Sequence, residues 1–167
     1  MPLVTVIIGS ESDQSIVANI IDILRNFKIP YELGIASAHR NPERLVEMVK
    51  RAEENGTCVF IAAAGMAAHL AGAVAANTTK PVIGVPVGSG PLKGIDSLLS
   101  TVMMPGGVPV ATVAIDGGKN AALLALEILA LLPDGKHLQS ELEQYRIETE
   151  NQIAEAERTW LKDIENS

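Results

Sequence analysis

The sequence predicts an α/β protein: a five-stranded parallel sheet with helices on both faces and an extra helix at the C-terminus. Three observations lead there. Aliphatic runs and amphipathic, helix-spaced segments alternate five times along the chain. Hydrophobic residues make up 47% but aromatics only 3%, so the core must be built from Val, Ile, Leu and Ala. Such a composition suits parallel strands buried on both faces. Finally, 167 residues are enough for one domain with a sizeable core and no covalent staples.

Residues 3–9 (LVTVIIG) read as the first strand and 13–27 (DQSIVANIIDILRNF) as a helix with apolar positions at helical spacing. Residues 31–36 (YELGIA) form a second, weaker strand. The helix 42–55 (PERLVEMVKRAEEN) follows, with Asn41 as capping side chain, Pro42 as first helical residue and Gly56 as terminator. Residues 57–63 (TCVFIAA) are the third strand and 67–77 (AAHLAGAVAAN) an Ala-rich third helix, with His69 inside it. The fourth strand is 81–87 (PVIGVPV), followed by a mobile lid or turn, 88–94 (GSGPLKG), and the helix 96–104 (DSLLSTVMM). Residues 108–115 (VPVATVAI) are the fifth strand and 119–132 (KNAALLALEILALL) the fifth helix. The charged tail, about 138–164, is roughly helical, with an apolar set (Leu138, Leu142, Tyr145, Ile153, Trp160, Ile164) too sparse for a core helix. Five βα units imply right-handed crossovers, and the natural strand order is the flavodoxin-like 2-1-3-4-5, a three-layer α/β/α sandwich. The expectation is one domain over 1–167, with a core over about 3–132 and a helical tail over about 134–167.

A formal charge of −7 argues against a general nucleic-acid surface, which needs clustered Lys and Arg. The single cysteine, Cys58, lies in an apolar run and reads as a buried free thiol in a reducing compartment. The N-terminus lacks the basic flank of a signal peptide, and no segment reaches the roughly 18 to 20 apolar residues of a membrane span. A cytoplasmic protein without membrane or nucleic-acid partners is expected. The three histidines and Cys58 are too far apart for metal-ligand spacing, so no metal is expected. No serine sits in a nucleophile elbow.

The unusual polar residues gather where the strands end: GSESD (9–13), SAHR (37–40), AGMAAH (64–69) and GSG (88–90). In an open parallel sheet, ligands bind outside the carboxyl ends of the strands, where strand order reverses. Taken by themselves, Ser10, Ser12 and Asp13 read first as caps of the first helix; a Gly-Ser turn opening a helix also offers free backbone N–H groups and hydroxyls to a phosphate. Arg40, beside a helix start, is placed for bidentate phosphate binding. Histidine is the side chain that most readily gives and takes a proton near neutrality, which suits His39 to proton transfer. Taken alone, His39 and His69 also serve as structural histidines.

Five motifs in order, spanning about 3–132, carry a resemblance. They are Gly9 to Asp13, Ser37 to Pro42, Ala67 to Gly72, Gly94 to Ser100 and Met104 to Thr112. Together they resemble the bacterial N5-carboxyaminoimidazole ribonucleotide mutases of purine synthesis (class I PurE). The resemblance implies a homo-octamer with active sites between subunits and an isomerase that needs no cofactor. Its small-molecule substrate is an aminoimidazole ribonucleotide whose N5-carboxylate leaves as CO2 and is recaptured at C4. It further implies that Ser12, Ser37 and Arg40 hold the 5′-phosphate and Asp13 the ribose hydroxyls. Ser10 and the loop of Ala64, Gly65, Met66, Ala67 and Ala68 would line the carboxylate pocket, with Leu70 beside them. His39 would shuttle the proton, with His69 as a second polar wall. The small residues of that loop allow backbone amides to approach a carboxylate and keep water out.

The chain departs from the family pattern at Ala63, Met66, Ala71, Met103 and Asn41; a positive φ in the loop would strain Met66. The related carboxylase branch, which uses CO2 directly, tends to read SAHK and lacks A-A-H-L, so Arg40 and His69 favour the mutase. A nicotinate-dinucleotide carboxylase domain fits the short chain less well. A phosphoacceptor switch would need an acidic residue ending the third strand, a flavin carrier would need aromatic rim loops, and a non-catalytic phosphoribosyl-nucleotide binder would tolerate loss of His39.

Overall fold

The computed structural model describes residues 3–11 and 14–165. Five strands, β1 (Val4–Ile8), β2 (Tyr31–Ile35), β3 (Val59–Gly65), β4 (Val82–Val87) and β5 (Ala111–Thr112), form one sheet in the order β2-β1-β3-β4-β5. Every neighbouring pair is parallel; Val4 lies opposite Tyr31 and Val59, and Gly65 opposite Val87. Among the described residues there are six α-helices: α1 (Gln14–Asn26), α2 (Pro42–Glu54), α3 (Leu70–Ala75), α4 (Ile95–Val102), α5 (Gly118–Leu129) and α6 (His137–Glu165). The expected flavodoxin-like sandwich is the observed one.

Strand alternation sorts the core into two layers. Val4, Val6 and Ile8 of β1, with Val59, Ile61 and Ala63 of β3, face Ile16, Ile20, Ile23 and Leu24 of α1 and Ala121, Ala125, Leu126 and Leu129 of α5. Ile7, Phe60, Ala62 and Val82 face the other way, against Leu45, Met48, Val49 and Ala52 of α2 and Leu70, Ala71 and Val74 of α3. The three central strands, β1, β3 and β4, are buried on both faces, which is why they read as unbroken aliphatic runs. The hydroxyls of Thr5 and Thr57 satisfy each other inside this core at 2.7 Å.

Helix α2 ends as predicted. Gly56 takes φ +96°, its N–H donates to the Glu53 carbonyl, and the Thr57 N–H donates to Ala52 (3.0 Å each), the two bonds of a Schellman cap.

Several expectations are corrected. Asn41 is the residue before Pro42 but makes no cap hydrogen bond; its Oδ1 instead accepts the Ser37 N–H at 2.6 Å, turning the side chain back to brace the loop. Helix α3 begins at Leu70, with His69 as its N-cap rather than an interior residue. Strand β5 has two residues rather than eight. Pro109 has no N–H for a ladder on one side, and on the other Asp116, at φ +58°, turns the chain. Cys58 is half-buried, its thiol 3.6 Å from the Gly56 carbonyl. The tail is a 29-residue helix whose start belongs to the core: Leu138 and Leu142 are buried, and Tyr145 lies against Phe27 with ring centroids 5.8 Å apart. Beyond Tyr145 the apolar residues Ile147, Ile153, Trp160 and Ile164 are exposed. Among the described residues no helix is long and apolar enough to cross a membrane.

Candidate functional site

Strand order reverses between β1 and β3, and the loops leaving the carboxyl ends of β1, β2, β3 and β4 enclose a cleft of about 500 Å³. Its location follows from the topology: the crossovers from β1 and β3 leave in opposite directions and open a crevice between them.

The wall over β2 and β1 is polar and cationic. The Arg40 guanidinium donates from Nη2 to the Gly9 carbonyl at 3.0 Å, and from Nε to Ser37 Oγ at 3.3 Å. The Arg40 backbone N–H reaches the same hydroxyl at 3.3 Å. With the Asn41 bond to the Ser37 N–H, the loop after β2 is fastened to itself and to the loop after β1. Ser10 lines the same wall. A neighbouring groove of about 470 Å³ shares Ser10, Ser37 and Arg40. Arg40 is the cation of this cleft among the described residues, a local positive charge on an acidic protein. Ser12 and Asp13 lie outside the described residues.

The middle of the cleft holds two histidines. His39 Nε2 lies 2.7 Å from His69 Nδ1, with the rings edge to face at 79° and centroids 4.9 Å apart. One of these nitrogens donates and the other accepts. His39 comes from the loop after β2, and His69 stands at the N-cap of α3, where the Ala73 N–H donates to its carbonyl at 2.9 Å. Residues thirty apart in sequence are thereby brought to hydrogen-bond distance across the switch point.

The floor is the end of β3. Ala64 and Gly65 still pair with Pro86 and Val87 of β4, so they belong to the strand rather than to a loop. Met66 then takes φ +52°, and two tight turns follow: the Ala68 N–H donates to Met66 at 2.8 Å and the His69 N–H to Ala67 at 2.9 Å. Ala64, Gly65, Met66, Ala67 and Leu70 line the cleft. Ala68 does not; it is buried, and its carbonyl accepts the Thr101 hydroxyl at 3.5 Å.

Gly9, Ala38 and Ser89 also line the cleft, beyond the residues expected from sequence. Ser89 had a signal, since GSG was already recognisable as a rim loop by its place after a strand. That loop is braced from below. The buried Ser97 hydroxyl donates to the carbonyls of Val87 and Gly94 (2.9 Å each), and the Gly88 N–H donates to Asp116 Oδ1 at 2.8 Å. Among the described residues no cluster of three metal-ligating side chains exists.

These features define a doubly wound α/β protein with one cation and a histidine pair in a crevice at its switch point. The chain belongs to the AIR carboxylase family, whose model matches residues 3–159. It is 58% identical over 130 residues to the N5-carboxyaminoimidazole ribonucleotide mutase of Pyrococcus horikoshii, covering 78% of this chain and 73% of that one. It is also 51% identical over 152 residues to the phosphoribosylaminoimidazole carboxylase of Candida albicans, covering 91% of this chain but 26% of that longer one. Among solved structures, PurE of Treponema denticola superposes with a TM-score of 0.82 at 32% identity, covering 93% of this chain and 96% of the other.

Proposed function

We propose that the protein is an N5-carboxyaminoimidazole ribonucleotide mutase of purine biosynthesis, an isomerase that moves a carboxylate from N5 to C4 of the imidazole without metal or cofactor. The observation that carries this reading is the His39–His69 contact of 2.7 Å in the same cleft as the Arg40–Ser37–Gly9 cluster. A phosphate and a proton-transfer site are the two things this substrate requires. Arg40 and Ser37 take the 5′-phosphate end, joined by Ser12, with Asp13 on the ribose hydroxyls and Ser10 lining the carboxylate pocket. The ring then lies beside the histidines, over Ala64, Gly65, Met66 and Ala67.

His39 delivers a proton to N5 as the N–C bond breaks and CO2 departs. The C4 carbon attacks that CO2, and the proton on C4 returns to His39 as the ring regains aromaticity. A single imidazole thus acts as acid and then base, with no net proton change. Positioning does the rest, since CO2 has to be held against C4 long enough to react.

The same reading takes the chain as one domain of a cytoplasmic homo-octamer. The outer side of α4 supports an assembly, because Ile95, Leu99, Val102 and Met103 are all exposed there, with Leu92 just before them.

The test is a paired assay without ATP, biotin or added metal. Conversion of N5-carboxyaminoimidazole ribonucleotide, but not of aminoimidazole ribonucleotide with low bicarbonate, is expected. Efficient use of the second substrate moves the chain to the carboxylase branch. His39→Asn should lower kcat by at least about 10²-fold with little change in nucleotide affinity. An active His39→Asn variant refutes the proton shuttle.

A further inference from the structure

Ser89 stands on the far wall of the cleft, after β4, in none of the motifs that carry the resemblance. Its side chain is held in a particular place. A Cβ built on Gly65 would lie 1.9 Å from Ser89 Oγ, so the hydroxyl occupies the space directly over the Gly65 α-carbon. The Ser89 N–H is used within its own loop, donating to Val87 at 2.9 Å. Its hydroxyl accepts or donates no hydrogen bond among the described residues. A hydroxyl lining a cleft, seated by a glycine and unused by the protein, is available to a ligand.

The sheet says which part of the ligand. In the order β2-β1-β3-β4, Arg40 and Ser37 lie over the β2–β1 end, the histidine pair over β1–β3, and Ser89 beyond β3. Three strand spacings separate β2 from β4, about 14 Å. A phosphoribosyl-imidazole anchored by its phosphate at Arg40 therefore runs along the strand ends with its ring past the histidines and its far substituent towards β4. On the function proposed above, that substituent is the carboxylate.

We infer that Ser89 binds the migrating carboxylate, its O–H donating to a carboxylate oxygen while Arg40 holds the opposite end of the molecule. The inference rests on the proposed mutase function, but its test does not require turnover. Two ligands that differ only in this group separate the possibilities: 4-carboxy-5-aminoimidazole ribonucleotide and aminoimidazole ribonucleotide, titrated by calorimetry into wild type, Ser89→Ala and Ser89→Thr. Ser89→Ala should weaken the carboxylated ligand about tenfold, the size of one lost hydrogen bond to a charged group. It should leave the uncarboxylated ligand within about twofold. Ser89→Thr, which keeps the hydroxyl, should recover the affinity. In turnover, Ser89→Ala should also release more free aminoimidazole ribonucleotide per product formed, because CO2 escapes when its carboxylate precursor is poorly held. Equal weakening of both ligands, or of neither, overturns the assignment, as does failure of both Ser89→Ala and Ser89→Thr to differ from each other. Wild-type protein that binds the carboxylated ligand in this selective way yet fails to turn over would instead sink the mutase reading and leave the Ser89 contact standing.

Discussion

Met66 turns the chain out of β3 with φ at +52°, a conformation in which an L side chain crowds its own carbonyl. The cost for a residue other than glycine is about 1–2 kcal/mol. Replacing Met66 by Gly removes that strain but also removes a side chain lying against Gly90, whose built Cβ would be 3.3 Å from Met66 Cγ. The clean comparison is therefore Met66→Gly against Met66→Ala, since both lack the long side chain and differ chiefly in backbone freedom. Glycine loses about 0.5–1 kcal/mol more entropy on folding than alanine, which offsets part of the relief. The net expectation is that Met66→Gly is more stable than Met66→Ala by about 0.5–1 kcal/mol. For a chain of this length that is about 1–4 °C in Tm. Denaturant midpoints at one protein concentration, with equal slopes, measure the difference. A Met66→Ala variant as stable as Met66→Gly, or more so, refutes the strain and with it the idea that this site carries a costly turn. Turnover measured on the same two proteins separates stability from pocket shape.

Arg40→Ala should raise KM by about 10- to 100-fold with a smaller change in kcat, the loss expected for charge-assisted bonds to phosphate; an unchanged KM removes Arg40 from the phosphate site. Gly84→Ala should destabilise by about 1–3 kcal/mol, since its Cβ would fall 2.5 Å from Thr101 Cγ2 and 2.9 Å from Val110 Cγ1. Denaturation of that variant at the wild-type midpoint would show the sheet face there to be looser than these distances. Leu138→Ala, at a residue 1% exposed, should cost about 2–5 kcal/mol. Ile153→Ala, at a residue 68% exposed, should stay within about 0.5 kcal/mol in the dissociated chain. Urea titration at low protein concentration distinguishes the two ends of α6, and equal losses would contradict the division of that helix.

Periodicity carried the architecture because it reports burial, and burial on both faces makes β1, β3 and β4 unmistakable. The same signal failed at β5. Its apolar residues 108–115 reflect contact with the β4 edge, where the Val113 N–H reaches Gly84 at 3.1 Å and the Asp116 N–H reaches Pro86 at 2.9 Å, without a continuous ladder. The tail misled for a related reason. Two buried leucines suffice to dock the first turns of a helix, and their weight vanishes when averaged over 29 residues. Asn41 has the composition of a cap, but composition does not say which N–H its oxygen will meet; here the Ser37 amide is nearer than those of the helix it precedes. The rim loops were legible because strand-end position is a property of topology. Pairings across the rim were not: nothing local to His39 specifies His69, and nothing local to Gly65 specifies Ser89. Those contacts depend on how side chains from separate loops meet over the strand ends, which only the folded sheet supplies.

The histidine pair constrains the proposed chemistry further than its residue types do. Only one proton fits on the 2.7 Å line between His39 Nε2 and His69 Nδ1. When His39 is protonated and ready to deliver, both its nitrogens carry hydrogen, so its Nε2–H must donate to His69. His69 must then be neutral, with its own proton on Nε2. The partner thus fixes the tautomer and ring orientation of the shuttle by accepting from it, the kind of orienting role a second group plays for a catalytic imidazole. Delivery from Nδ1 of His39 leaves this contact intact through both halves of the reaction. Delivery from Nε2 breaks it twice in each turnover. His69→Phe removes the acceptor while keeping a ring in place. On the Nδ1 route the loss should fall on kcat, with nucleotide affinity little changed, because His39 loses the acceptor that orients its ring. A variant with an unchanged kcat would mean that the contact belongs to the ligand-free cleft alone, and that His39 swings away from His69 to reach its substrate.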